Sequence, residues 1–147
     1  MSTKNRADFY ILATSGEDGR QQFFCRLSEK ILGLGLQVFV QVPDEIRANR
    51  LDEQLWSWRP DSFVPHALQG ATPEAPITIG WGGELPAHRD VYVNLGLELP
   101  PEALQFRRIV EIVVQDEAIL AASRSNYRLC KEHGLELHRT DMRQPAK

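Results

Sequence analysis

Four histidines, two cysteines and a few adjacent carboxylates are the residues of this chain with obvious chemistry to offer, and their spacing decides what they can do. His66, His88, His133 and His138 are scattered along the sequence. None falls in a metal-ligand motif or a nucleophile elbow, and hydrolytic chemistry needs a nucleophile with a base in hydrogen-bond reach. His66, behind Pro65 in a stretch that reads as loop, is the best single candidate for catalysis, although a surface histidine with no catalytic role is the better reading. Cys25 and Cys130 have no second thiol or histidine at ligand spacing, which argues against a zinc site or a disulfide framework and suits a reducing compartment. Cys130 falls on the apolar side of a helix and reads as core. Asp52 and Glu53 could share acid–base work, but on a helix such a pair reads as a solvated face.

Phosphate chemistry fares no better. A phosphate loop needs closely spaced glycines for backbone approach, followed by lysine and a hydroxyl. The turn after the first predicted strand reads Gly16-Glu17-Asp18-Gly19-Arg20-Gln21, with two carboxylates that repel phosphate. Gly33-Leu34-Gly35 lies at the end of a helix, so the dinucleotide fingerprint is missing as well. No cofactor and no metal are expected.

What the sequence does offer is two surfaces. At about 100° per residue, Ala48, Leu51, Leu55 and Trp58 form the inward stripe of one helix. Trp56 points roughly 110° away from the middle of that stripe, towards Asp52 and Glu53. It either packs under the following loop, on Phe63 or Pro65, or stands as an apolar knob; exposed aromatics of this kind mark partner contacts. On a second helix, Ile119, Ala122, Asn126, Leu129 and Cys130 point inward. Leu120, Arg124, Tyr127 and Lys131 form the neighbouring strip, with Arg128 at its edge. That strip is a solvated face or a site for an acidic peptide, since arginine forks hold carboxylates and an aliphatic or aromatic floor accepts an apolar side chain.

The elements that carry these surfaces alternate. Strands are expected over residues 9–13, 37–42, 77–81, 91–95 and 108–114, with a further edge strand over 135–138. Helices are expected from Phe23 to Gly33, from Pro43 to about Trp58, briefly over 103–106, and from Asp116 to about His133 with Gly134 as its stop. Residues 59–76, with four prolines, read as loop. Alternation of this kind predicts an α/β fold, a mostly parallel sheet with helices on both faces. The 147 residues, 42% hydrophobic and 25% charged, suit one globular domain, taken as residues 1–141 with a frayed tail over 142–147. A net charge of −3 does not favour nucleic acid as a direct ligand. Aromatics among cations can stack single-stranded bases, but Trp56 and Phe63 are flanked by acids. No run approaches the ~18 apolar residues of a membrane span, so a cytoplasmic protein is expected.

The run Arg50-Leu51-Asp52-Glu53, Leu55-Trp56, Arg59-Pro60 and Ser62-Phe63-Val64-Pro65-His66 resembles the chi subunit family of bacterial DNA polymerase III. The opening Phe9-Tyr10-Ile11-Leu12, the Arg89-Asp90-Val91 strand entry and the helix ending Tyr127-Arg128 with Gly134 extend the resemblance over nearly the whole chain. It implies a non-catalytic accessory subunit with a three-layer α/β/α fold, Rossmann-like but without a phosphate-binding loop. It implies two partners: the psi subunit, which joins chi to the clamp loader, and the acidic C-terminal tail of single-stranded-DNA-binding protein. Nucleic acid is then met only indirectly. The psi-facing surface carries over to Trp56, Phe63 and Pro65, and some chi-like proteins engage a repair helicase there. The tail site carries over to Val113, Arg124, Tyr127 and Arg128. Arg128 stands where the family pattern has a lysine, which keeps the charge but changes its geometry; Leu120 stands where the pattern has another lysine, and that loss implies a weaker salt dependence rather than lost binding. The alternative is a small α/β nucleotide-binding domain or enzyme built on the loop after the first strand.

Overall fold

The computed structural model describes residues 4–58, 64–71, 75–82 and 85–143. The chain runs β1 (Arg6–Ile11), α1 (Glu17–Gly33), β2 (Val38–Gln41), α2 (Glu45–Trp56), β3 (His66–Leu68), β4 (Ile77–Gly80), β5 (Val91–Asn94), a short 3₁₀ helix (Pro101–Gln105), β6 (Arg108–Val113), α3 (Glu117–Glu132) and β7 (Glu136–Asp141). Among the described residues the strands form one sheet in the order β3-β4-β2-β5-β6-β1-β7, and every pairing is parallel.

Neighbouring residues of one strand face opposite sides of a sheet. Tyr10 of β1 meets Phe23 of α1 with ring centroids 5.1 Å apart, and Phe9 meets Tyr127 of α3 at 5.3 Å. The helices α1 and α3 therefore cover opposite faces. The crossovers β1-α1-β2 and β2-α2-β3 step the same way along the sheet, while β6-α3-β7 steps back. Right-handed connections then put α1 and α2 in one layer and α3 in the other. The central strands read as they must with both faces covered: all of Val91–Asn94 is buried, and so are residues 109–113. The edge strand β7 is charged instead, which discourages pairing with a further strand.

Local signals set the helix ends. Asp44 caps α2 by accepting from the Arg47 amide at 2.9 Å, and Asp116 caps α3 by accepting from Ile119 at 3.1 Å. Beyond α3, Gly134 turns the chain at φ 76°, a conformation that side chains resist.

Four expectations change. Helix α1 starts at Glu17 rather than at Phe23, so most of the stretch read as a turn forms its opening turns. Residues 66–68, read as loop, form edge strand β3 in register with Ile77 of β4; three residues among prolines are too few to show an alternation. The helix α2 ends at Trp56, and Trp58 turns its indole N–H to the Glu29 carboxylate at 2.5 Å while still packing against the core. The expected strand at 135–138 extends to Asp141, and the Met142 amide then donates to the Ile11 carbonyl at 2.8 Å. Of the expected frayed tail, residues 144–147 lie outside the described residues.

In doubly wound sheets, ligands bind in the crevice beyond the carboxyl ends of the strands. Here Arg20 reaches into that place. Its guanidinium donates to the carbonyls of Ile112 (2.8 Å), Leu95 (2.9 Å), Gly96 (2.9 Å) and Asn94 (3.2 Å). A Cβ at Gly19 would collide with the Thr14 side chain, so the turn after β1 packs closely against α1. Glu17, Glu98 and Asp116 line the same crevice, carboxylates that repel a phosphate group.

Beneath it lies a buried polar knot. The Glu111 carboxylate on β6 accepts from the side-chain amides of Asn94 at 2.7 Å and Asn126 at 3.1 Å. Asn126 also donates to the Leu97 carbonyl at 2.8 Å and accepts from the Leu99 amide at 3.1 Å. The knot locks α3 onto β5 and β6.

Candidate partner-binding surfaces

The first surface is a cleft of about 630 Å³ between α3 and β7. Leu120, Arg124, Tyr127 and Arg128 recur at three- and four-residue steps on α3 and share one face. Val113, at the end of β6, joins them, so the four residues expected for an acidic tail line one cleft. Tyr127 is 37% exposed, with one edge on the buried Phe9 ring and the rest open to the cleft. Leu120 is half-buried against the core and forms floor rather than rim. With Phe9, Ile11 and Val113 it makes an apolar base that a hydrophobic side chain would fill.

The rim is cationic. Arg124 and Arg128 rise from α3, while Arg139 and Arg143 come from the far side, on β7 and just beyond it. Among the described residues Arg124, Arg128 and Arg139 make no ion pair. Arg143 holds Asp141 through Nη2 at 2.5 Å and Nε at 2.9 Å, which keeps that carboxyl well below the usual carboxylate range. Phe9, Ile11, Arg139 and Arg143 were missed from sequence. Arg139 is in register with Phe9 across the β1–β7 pairing, a contact between the two ends of the chain that periodicity does not reveal.

The second surface stands at the end of α2. Trp56 is 60% exposed, as its helical phase predicts. Its ring meets that of His66 at 5.1 Å with an interplanar angle of 66°. His66 is not the surface histidine expected: its side chain is fully buried, with Nδ1 2.7 Å from the Val64 carbonyl and Nε2 3.1 Å from Asp52 Oδ1. Asp52, one turn before Trp56, is therefore half-buried, and only Glu53 of the acidic pair belongs to a solvated face. The Asp52–His66 contact fixes edge strand β3 to α2 beneath the indole. Pro65 is half-buried and lines a hollow with Leu32 and Leu36 at the end of α1 rather than with Trp56, and Phe63 lies outside the described residues.

The two surfaces stand at opposite ends of the sheet, since β3 and β7 are its two edges. Six strand spacings separate those edges, roughly 29 Å. They also lie in opposite helical layers. Among the described residues no group of three or more His, Cys, Asp or Glu is placed to hold a metal, and no helix is long and apolar enough to cross a membrane.

A family model described as "DNA polymerase III chi subunit, HolC" matches residues 5–138. The chain is 39% identical over 132 residues to the DNA polymerase III subunit chi of Pseudomonas aeruginosa, covering 90% of this chain and 93% of that one. It is 32% identical to the subunit chi of Haemophilus influenzae over 89% of this chain and 93% of the relative. For Escherichia coli the figures are 30% identity, 90% and 95%.

Proposed function

Because the chain belongs to the DNA polymerase III chi subunit family, an accessory rather than a catalytic subunit of the replicative polymerase, we propose that it bridges two partners in the cytoplasm. It takes the acidic C-terminal tail of single-stranded-DNA-binding protein in the α3–β7 cleft, and the psi subunit on the Trp56 surface. The observation that carries the tail reading is the cleft itself: an apolar floor under four guanidinium groups. An acidic tail ends in carboxylates, an apolar side chain and a free α-carboxylate. Arg124 and Arg128 take negative groups by two-point hydrogen bonding, and the apolar side chain sits between Tyr127 and Val113. Arg139 of β7 offsets part of the charge that Leu120 does not supply, while Arg143 is paired with Asp141, so binding keeps a salt dependence that the missing lysine weakens.

The psi reading rests on an indole left mostly in water on a rigid base. Large aromatics held this way are the usual anchors of protein contacts. The separation of the two surfaces lets one molecule hold both partners at once.

Calorimetry with a peptide of the acidic tail tests the first half. Arg124→Ala is expected to weaken it by ~1.5–3 kcal/mol, the range for charge-assisted hydrogen bonds. An unchanged affinity would remove Arg124, and with it the proposed binding mode.

A further inference from the structure

Six large apolar side chains stand exposed among the described residues. Trp56 and Tyr127 belong to the two surfaces above. Leu34, 70% exposed, and Met142, 44% exposed, line a third place, a groove of about 600 Å³ between α1 and the β1–β7 edge. It lies on the face of the sheet opposite the tail cleft: Thr140 of β7 is in register with Tyr10, whose ring meets Phe23 of α1. The helix α1 packs on β6 and β2, and α2 on β3 and β4. Neither is centred on β7, so this helical layer stops short of the sheet edge.

The groove is apolar along its length. Phe23, Leu27 and Ile31 of α1 form one wall, and Leu34 stands at its end, roughly 16 Å from Phe23 at the helical rise. Met142, held in the sheet by its amide on the Ile11 carbonyl at 2.8 Å, borders the other side. The charge at its rim has one sign. Arg26 and Lys30, one turn apart on α1, are both exposed, and among the described residues neither makes an ion pair. Acids nearby are already engaged. Asp8 is held by Arg6 at 2.7 Å and by Arg108 at 2.5 Å, and Glu29 of α1 accepts from the Trp58 indole. Two free cations therefore flank an apolar trough, with a field that attracts carboxylates.

We propose that this groove docks an acidic amphipathic helix of a partner protein, laid beside α1 over the β1–β7 edge. A helix of about three turns spans the distance from Phe23 to Leu34. Its apolar stripe covers Leu34 and Met142, and carboxylates at the margin of that stripe meet Arg26 and Lys30. A nucleic-acid strand fits less well. It has nothing to lay on two aliphatic side chains, and Phe23 is buried with the Arg26 guanidinium over its ring at 5.3 Å, which leaves no open face there for a base. The inference does not depend on the tail or psi readings.

The test is a shift titration of the full chain by NMR at fixed ionic strength. The ligand is a peptide of leucine, glutamate and alanine, about 17 residues long so that it can form a helix, with leucines at three- and four-residue steps. Both its ends are blocked, so it carries no free α-carboxylate for the tail cleft. Saturable shifts are expected over residues 23–34 and 140–142. The same peptide with lysine for glutamate, or with proline at its centre, should not saturate there. Reversing both charges, Arg26→Glu with Lys30→Glu, should weaken the acidic peptide about tenfold, the sum of two exposed ion pairs made repulsive. Leu34→Ser, at a mostly exposed position that costs the fold little, should weaken it by about as much and carries the test should the double variant fold poorly. No saturable shift in the groove, or an affinity unchanged in both variants, would overturn the proposal. So would groove shifts produced by oligothymidylate in place of the peptide, or by raising the protein concentration alone, which would give the groove to nucleic acid or to a second copy of the chain.

Discussion

Glu111 sets a pH dependence whose sign runs against the usual carboxylate pattern. Its side chain is buried in the knot that fastens α3, and burial pushes its carboxyl up to about 7, against the opposing pull of the Asn94 amide, Arg20 and the Asn126 amide. In the unfolded chain the group titrates near 4.5. The folded protein thus keeps a proton that the unfolded chain releases earlier. The resulting contribution to stability is complete below pH 4.5, declines as pH rises, and is lost above about 7. The gap between the two values corresponds to about 3 kcal/mol at 1.36 kcal/mol per pH unit. Other titrating groups change stability over the same range, so the signal is the difference between wild type and Glu111→Gln. Glutamine keeps an acceptor for both asparagine amides and takes no charge. Stabilities from urea melts at pH 5 and pH 8 should show the difference shifting in favour of glutamine by about 2.5 kcal/mol at the higher pH, since part of the effect is already lost at pH 5. A difference that does not move with pH, or that moves towards the wild type, would rule out a raised Glu111 carboxyl.

Two predictions concern charge in the α3–β7 cleft, both read by calorimetry with the acidic tail peptide over a salt series. Arg139→Ala should weaken the peptide by about 1 kcal/mol at low salt and flatten its salt dependence, because an exposed cation acts through a screened field. Leu120→Lys should strengthen low-salt binding by up to about 1 kcal/mol and steepen the salt dependence, while lowering the urea midpoint because Leu120 packs on the core.

Much of this fold was legible because its signals are local. Asp44, Asp116 and Gly134 mark helix ends that hold in the structure, and the apolar runs of β5 and β6 announce strands covered on both faces. The inward stripe of α2, Ala48, Leu51 and Leu55, is buried as its spacing requires, and Trp56 stands outside it. What was hidden depends on pairing at a distance. β3 is three residues long and is defined by its register with β4 rather than by its own pattern. The burial of His66 follows from that strand, and from Asp52 a helix away. Arg139 and Arg143 belong to the cleft only because β7 lies beside β1. The helical half of the cleft could be read from i, i+3 and i+4 spacing; the strand half could not.

On the proposed reading, two partners occupy opposite edges of one sheet without competing. The most direct measurement is a paired one on Trp56→Ala: capture of psi by the variant, and calorimetry of the acidic tail peptide with the same sample. Trp56 is mostly exposed, so its loss should cost the fold little. Psi capture should disappear while the tail peptide binds with wild-type affinity. Retained psi capture, or loss of both interactions in a variant that keeps its wild-type urea midpoint, would contradict it.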